Sequence, residues 1–158
     1  MCRLKATLLL FALFVAAGCS LASRSNLVED KYQISEITFE RSGSWGVKSG
    51  YKVLLRKDGK AEYVGDVNAK RKGKHQGVIS KEQFEQLAKL ILANDFFSLE
   101  DRYQAQATDT DTIIINVLYS GGRKRVEDFG RGGGERLTEI ERAIDNAAEQ
   151  IAWLKDEG

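Results

Sequence analysis

The sequence predicts an α+β domain: an antiparallel sheet of about five to six strands with two helices packed on one face, in the order βββ(β)αββα. Three observations lead there. Short β-rich runs fall into two groups, and each group turns back on a glycine step, Asp58-Gly59 in the first and Gly121-Gly122 in the second. Two longer segments, residues 81–93 and 135–155, instead carry apolar residues at three–four spacing. Strands joined by tight turns pair antiparallel, and helices interrupting them lie over one face of the sheet.

The start of the chain stands outside that domain. Arg3 and Lys5 precede an apolar run from Ala6 to Ala17 (ATLLLFALFVAA), which ends in small residues and a cysteine. A charged start, a short apolar stretch and a small-residue cleavage site describe an export signal. As a helix this run reaches about 18 Å, well short of a hydrocarbon core of roughly 30 Å, so no transmembrane span is expected. Ala16-Ala17-Gly18-Cys19 resembles the lipobox of bacterial lipoproteins. By that resemblance the chain is cleaved between Gly18 and Cys19, and Cys19 is lipidated, with palmitate among the acyl groups. Ser20 follows where an Asp would mark inner-membrane retention, so in a Gram-negative host the outer membrane, periplasmic face, is expected. The divisions are then residues 1–18 as signal peptide, 19–32 as lipidated N-terminus and tether, and 33–158 as a single domain.

Within the domain, Ile34 to Glu40 (ISEITFE) places Ile37 and Phe39 at period two and reads as a first strand. Arg41 to Gly50 is a Gly- and Ser-rich loop around Trp45. Tyr51 to Lys57 is a second strand, with Tyr51, Val53 and Leu55 on one face. Asp58-Gly59 signals a type I′ hairpin turn into a third strand, Ala61 to Gly65. Asp66 to Gly77 is basic and polar, either an extended arm or a short fourth strand. Ser80-Lys81-Glu82-Gln83 is a capping box, after which Phe84, Leu87, Ala88, Ile91 and Leu92 form one apolar helical stripe that Asn94-Asp95 ends. Phe96-Phe97 and Leu99 plug the helix end into the core, and Asp101 to Asp111 reads as a polar loop. Thr112 to Tyr119 (TIIINVLY) is apolar almost throughout, as a central strand would be. Gly121-Gly122 returns it into Lys124 to Phe129. Gly130 to Gly134 is a flexible break, and a last helix from Glu135 to Lys155 carries Leu137, Ile140, Ile144, Ala147, Ile151 and Leu154.

Composition narrows the function classes. Cleavage removes Arg3 and Lys5, shifting the balance from 24 basic against 23 acidic residues to 22 against 23, so no basic footprint for nucleic acid remains. Cys2 and Cys19 are the only cysteines. Both lie outside the domain, which leaves no structural disulfide, thiolate metal site or cysteine nucleophile there.

From Ile37 onward the chain resembles a bacterial family of exported and lipid-anchored proteins, domain of unknown function 6438. The residues that carry the likeness are Arg41, Trp45, Gly46, Tyr51, Asp58-Gly59, Gly65, Gly73-Lys74, Gly77, Ile79-Ser80 and Phe84, then Asp95-Phe96-Phe97, Thr108-Asp109 and Ile144-Asp145. It spans about Ile34 to Ile151. Two cysteines of the family pattern fall at Ser44 and Lys48 here, and its following proline at Ser49. Their joint absence is what a disulfide in relatives implies, and it removes any redox or metal role for that loop. A proline-containing turn before the last helix is likewise replaced by Gly132-Gly133-Gly134. The resemblance implies architecture and location, and no activity.

The remaining constellations each have a bland reading. Thr108 to Thr112 sets Asp109 and Asp111 at alternate positions, as a hard-cation site would, but short Asx and Thr turns explain the same residues and the EF-hand pattern is missing. His75 is the only histidine and follows Lys70, Arg71, Lys72 and Lys74, a setting that disfavours imidazolium and divalent cations alike. Those cations suit either lipid phosphates or a solvated, lysine-protected sheet edge. Gly130 to Gly134 lacks the Lys-Ser/Thr ending of a phosphate-binding loop. Trp45 with Tyr51 is either an aromatic partner site or the cover of the sheet end.

The expectation is therefore a lipid-anchored cell-envelope protein, a non-catalytic interaction or accessory module with no metal or cofactor, whose partner is an envelope protein or the cell wall. The candidate partner surface is Trp45, Tyr51, Lys70, Arg71, Lys72 and Lys74. Two alternatives differ in class. One is a periplasmic hydrolase using Asp109, Asp111 or His75, and the other a periplasmic inhibitor or chaperone-like binder.

Overall fold

The structure, a computed structural model, describes residues 31–43, 50–106 and 110–155. The signal peptide with Gly18, Cys19 and the tether to Asp30, and also Trp45 and Asp109, lie outside the described residues. Among the described residues the strands are β1 (Ile34–Ser42), β2 (Tyr51–Arg56), β3 (Lys60–Gly65), β4 (Gly73–Val78), β5 (Arg102–Gln104), β6 (Thr112–Tyr119), β7 (Gly122–Phe129) and β8 (Leu154–Lys155). Helix α1 (Lys81–Ala93) follows β4, a 3-10 turn spans Phe96–Ser98, and α2 (Gly134–Gln150) follows β7.

The fold is α+β, and its sheet is larger and more mixed than the sequence suggests. Eight strands run in the order β5-β7-β6-β1-β2-β3-β4-β8, all neighbours antiparallel except β5 against β7, which is parallel. The expected count of five to six misses the two edges. Arg102–Gln104 reads as polar loop because an edge strand of three residues with no buried side chain has no alternating pattern to show. It pairs with Glu127–Phe129, and the turn after β7 can pass so close only because Gly132 has no side chain: a Cβ there would lie 2.8 Å from the Ala105 nitrogen. At the other edge, residues 151–155 leave the helix although the three–four repeat continues through Leu154. Ile151 is extended (ψ 133) and the Trp153 indole Nε1 donates to the Ala148 carbonyl at 2.8 Å, closing the helix end. Leu154 then pairs in β8 and is exposed.

Elsewhere the patterns carry through. Alternate residues of the strands point into one core: Ile37 and Phe39, Val53 and Leu55, Ala61 and Tyr63, Ile113, Ile115 and Val117, and Val126. Against them lie Phe84, Leu87 and Ile91 of α1 and Leu137, Ile140 and Ile144 of α2. Both capping-box bonds at Ser80 and Gln83 are made, and Phe96 and Leu99 are buried as expected. The β2–β3 turn differs in type. Gly59 takes φ +92 with its N–H on the Arg56 carbonyl, while Lys57 and Asp58 keep negative φ, so this is a three-residue loop with a left-handed glycine rather than a type I′ turn.

Candidate functional site

A group of partly buried charges gathers at one end of the sheet. β1 begins at Ile34 beside Tyr119 and ends at Ser42 beside Thr112, with Arg41 also opposite Tyr51 of β2, so Ser42, Tyr51, Gly65, Thr112 and Phe129 share the far end. Helix α2 starts next to Phe129 and crosses that end. Its residues Glu141, Asp145 and Glu149, four apart and so on one ridge, each face a cation from the sheet or its loops.

In the middle of the ridge, the Arg41 guanidinium grips Asp111 through Nε and Nη2, both 2.9 Å from Oδ2, and gives Nη1 to Asp145 at 3.3 Å. The Tyr51 hydroxyl donates to the other Asp145 oxygen. Partial burial alone would lower the Arg41 pKa, but the hydrogen bond and charge of Asp111 outweigh it and the pKa is raised. Burial, then the Asp145 hydrogen bond, pushes the Tyr51 phenol far above its ordinary value. The hydroxyl is thus held as a donor to Asp145.

At the β4 side, the turn from Asp66 is built by its own carboxylate, which accepts from the N–H groups of Asn68 and Gly50, both at 2.8 Å. That turn delivers Lys70 and Arg71 to Glu149 at 2.7 and 3.3 Å, and these partners, Lys70 first, lower the Glu149 pKa. Arg71 also lies over the Tyr63 ring, which stacks on Tyr51 at 5.4 Å. At the β7 side, Asp128 and Glu141 are each only 2 % exposed. The Gly133 N–H donates to both Asp128 oxygens at 3.2 Å, and Arg131, held at φ +61, approaches Glu141 at 3.6 Å. The Gly130–Gly134 segment, expected as a flexible break, is therefore a turn pinned at both ends, since the Gly130 N–H also reaches the Asp111 carbonyl at 3.0 Å.

The sequence-derived candidates meet this seam only in part. Tyr51 and Asp111 are in it, and Lys70 and Arg71 border it, spent on Glu149. Lys72 and Lys74 are exposed. The basic group lies at the far end from the start of β1, whose nine residues span roughly 30 Å. His75 is on β4, its Nε2 3.1 Å from the Lys72 carbonyl and its ring edge-on to Tyr63. Strands β1, β2 and β3 separate it from Asp111, about 19 Å at ordinary strand spacing, so the two do not share a site. Among the described residues no three His, Cys, Asp or Glu side chains are placed to hold a metal. A shallow groove lined by Tyr32, Ile34, Phe84 and Leu92 lies at the opposite end, away from these charges.

Arg41 and Asp145 enter the sequence reading only through the family resemblance, Arg131 only as part of the Gly130–Gly134 break, and Asp128, Glu141 and Glu149 not at all. One signal was present. Glu141 falls four after Leu137 and three before Ile144, inside the apolar stripe, where an acid must find a partner or stay neutral.

A family model described as Domain of unknown function (DUF6438) matches residues 35–148, from the second residue of β1 to Ala148 in α2. No curated protein matches the chain.

Proposed function

The chain belongs to the family described as Domain of unknown function (DUF6438), and we propose that it is a lipid-anchored, non-catalytic interaction module of the bacterial cell envelope. The observation that carries the reading is the run from Arg3 to Cys19, with its charged start, short apolar stretch and Ala16-Ala17-Gly18-Cys19 ending. Among the described residues no helix is long and apolar enough to cross a membrane. The seam supports the non-catalytic half. Arg41, Tyr51, Asp111 and Asp145 are spent on one another, as groups that hold an architecture are. In a Gram-negative host the anchor lies on the periplasmic face of the outer membrane, and the far end of the sheet, carrying the seam and the Lys70–Lys74 arm, faces an envelope protein or the cell wall.

The test is fractionation of cells expressing the parent chain and Cys19→Ser. The parent is expected in the membrane fraction, released by detergent but not by high salt, and the variant in the soluble fraction. Continued membrane association of the Cys19→Ser chain would overturn the anchor.

A further inference from the structure

Glu141 is the one buried acid in the seam whose partners do not account for it. Asp128 and Glu141 lie within hydrogen-bonding reach of each other. Two carboxylates are acceptors only, so with both ionised neither Glu141 oxygen has a donor. Arg131 is the nearest cation, and 3.6 Å is too long for a hydrogen bond. Two carboxyl groups offer too few oxygens for a hard cation, which takes six or more. A proton completes the pair. Asp128 already accepts twice from the Gly133 N–H at the start of α2, where the helix end favours negative charge, so Asp128 is the ionised member.

We propose that Glu141 is a neutral carboxylic acid in the folded domain and donates a hydrogen bond to the Asp128 carboxylate, so that one shared proton latches α2 to the turn after β7. Asp128 then bridges Glu141 on one side and Gly133 on the other, fixing Gly130–Gly134 and with it Arg131. The charged groups facing Glu141 are Asp128 from β7, Arg131 from the turn and Arg41 from β1. Arg41 is itself neutralised by Asp111, ahead of β6, and by Asp145, one turn on in α2. Helix α1 brings Phe84, Leu87 and Ile91 to the shared core. Burial, then the Asp128 charge, raises the Glu141 pKa from 4.5 to about 8, with Arg131 and Arg41 opposing. The latch is closed below that range and opens in mildly alkaline solution, when Glu141 gives its proton to water and two unshared carboxylates repel across the turn.

Carbon-13 labelling of the glutamate side-chain carboxyls follows this by NMR, with Glu141→Gln assigning the resonance. One carboxyl is expected to titrate with a proton affinity at least a hundredfold above an ordinary glutamate, whose pKa is about 4.3. The Gly133 amide should shift at the same midpoint, and Asp128→Asn should cut that affinity at least tenfold. Hydrogen exchange adds a readout that a purely structural role would not move. Across the Glu141 midpoint, protection of the Gly133 and Leu137 amides should fall at least tenfold beyond the intrinsic pH effect in the parent, and stay level in Glu141→Gln. A Glu141 carboxyl in the ordinary glutamate range, a Gly133 amide that ignores it, or an equal loss of protection in Glu141→Gln overturns the proposal. Should Glu141→Gln fail to fold, the parent titration and Asp128→Asn decide it.

Discussion

At the end of the sheet where β1 begins, Tyr32 stacks on Phe97 at 4.0 Å, both meet Tyr119 edge-on, and Phe96 behind them is fully buried. At the far end Arg41, Asp111, Tyr51 and Asp145 hold one another, flanked by Glu141 and Glu149 on the same helix ridge. Apolar contact needs no particular partner and does not respond to pH, whereas a half-buried charge is favourable only while its counter-charge is in place. The two ends should therefore fail differently when a side chain is removed: the aromatic cluster should be indifferent to pH and salt, and the seam should respond to both.

The largest loss is expected at the apolar end. Phe96→Ala leaves a cavity in a fully buried position, and a loss of about 3–5 kcal/mol is expected from urea unfolding at unchanged slope. A loss below about 1 kcal/mol would mean that the helix end can collapse onto the gap.

At the far end, Arg41→Ala strands Asp111 and Asp145 together and should cost about 2–3 kcal/mol by the same measurement. Arg41→Lys should recover little, because an ammonium cannot bridge two carboxylates as the planar fork does. Recovery to parent stability by lysine would show that charge alone, and not the fork, holds the seam.

Glu141 gives the comparison its pH axis. Its pKa is raised from 4.5 to about 8, so between those values the folded chain holds more protons than the unfolded chain. Stability from the neutral form is complete below the lower value and is lost as pH rises through the upper one. Glu141→Gln should flatten that decline, gaining up to about 5 kcal/mol over the parent above pH 8 and nothing below 4.5. Phe96→Ala, in contrast, should shift the parent profile without changing its shape.

The smallest effect belongs to the rim. Lys70→Ala removes an exposed pair with Glu149 and should cost under about 0.5 kcal/mol, vanishing at high salt. A larger, salt-independent loss would place the Asp66–Lys72 turn among the groups that hold the seam together.

How much could be read beforehand depends on the range over which each signal acts. The strands from Ile37 and Phe39 and from Val53 and Leu55 were legible because burying one face imposes period two locally, and Thr112 to Tyr119 because its β-branched apolar run suits a central strand. The Ser80–Gln83 box was legible because both its bonds close within four residues. Arg102–Gln104 was not, since a three-residue edge strand takes its partner from Glu127–Phe129 and its room from Gly132. The end of α2 was not either, because what stops the helix is Trp153 returning to Ala148 against a repeat that would continue. Of the seam, Tyr51 and Asp111 could be singled out as residue types, but not as partners of a common arginine.

By itself the sequence determined the class of fold, the two helices and their buried stripes, because local periodicity and capping act within a few residues. Only the tertiary structure decided the eight-strand order, the parallel edge and the meeting of Arg41 with Asp111 and Asp145, 70 and 104 positions away. Charges at such separations leave no period in the chain: the β1–β6 register brings Asp111 to Arg41, and the crossing of α2 over the far end of the sheet brings Asp145.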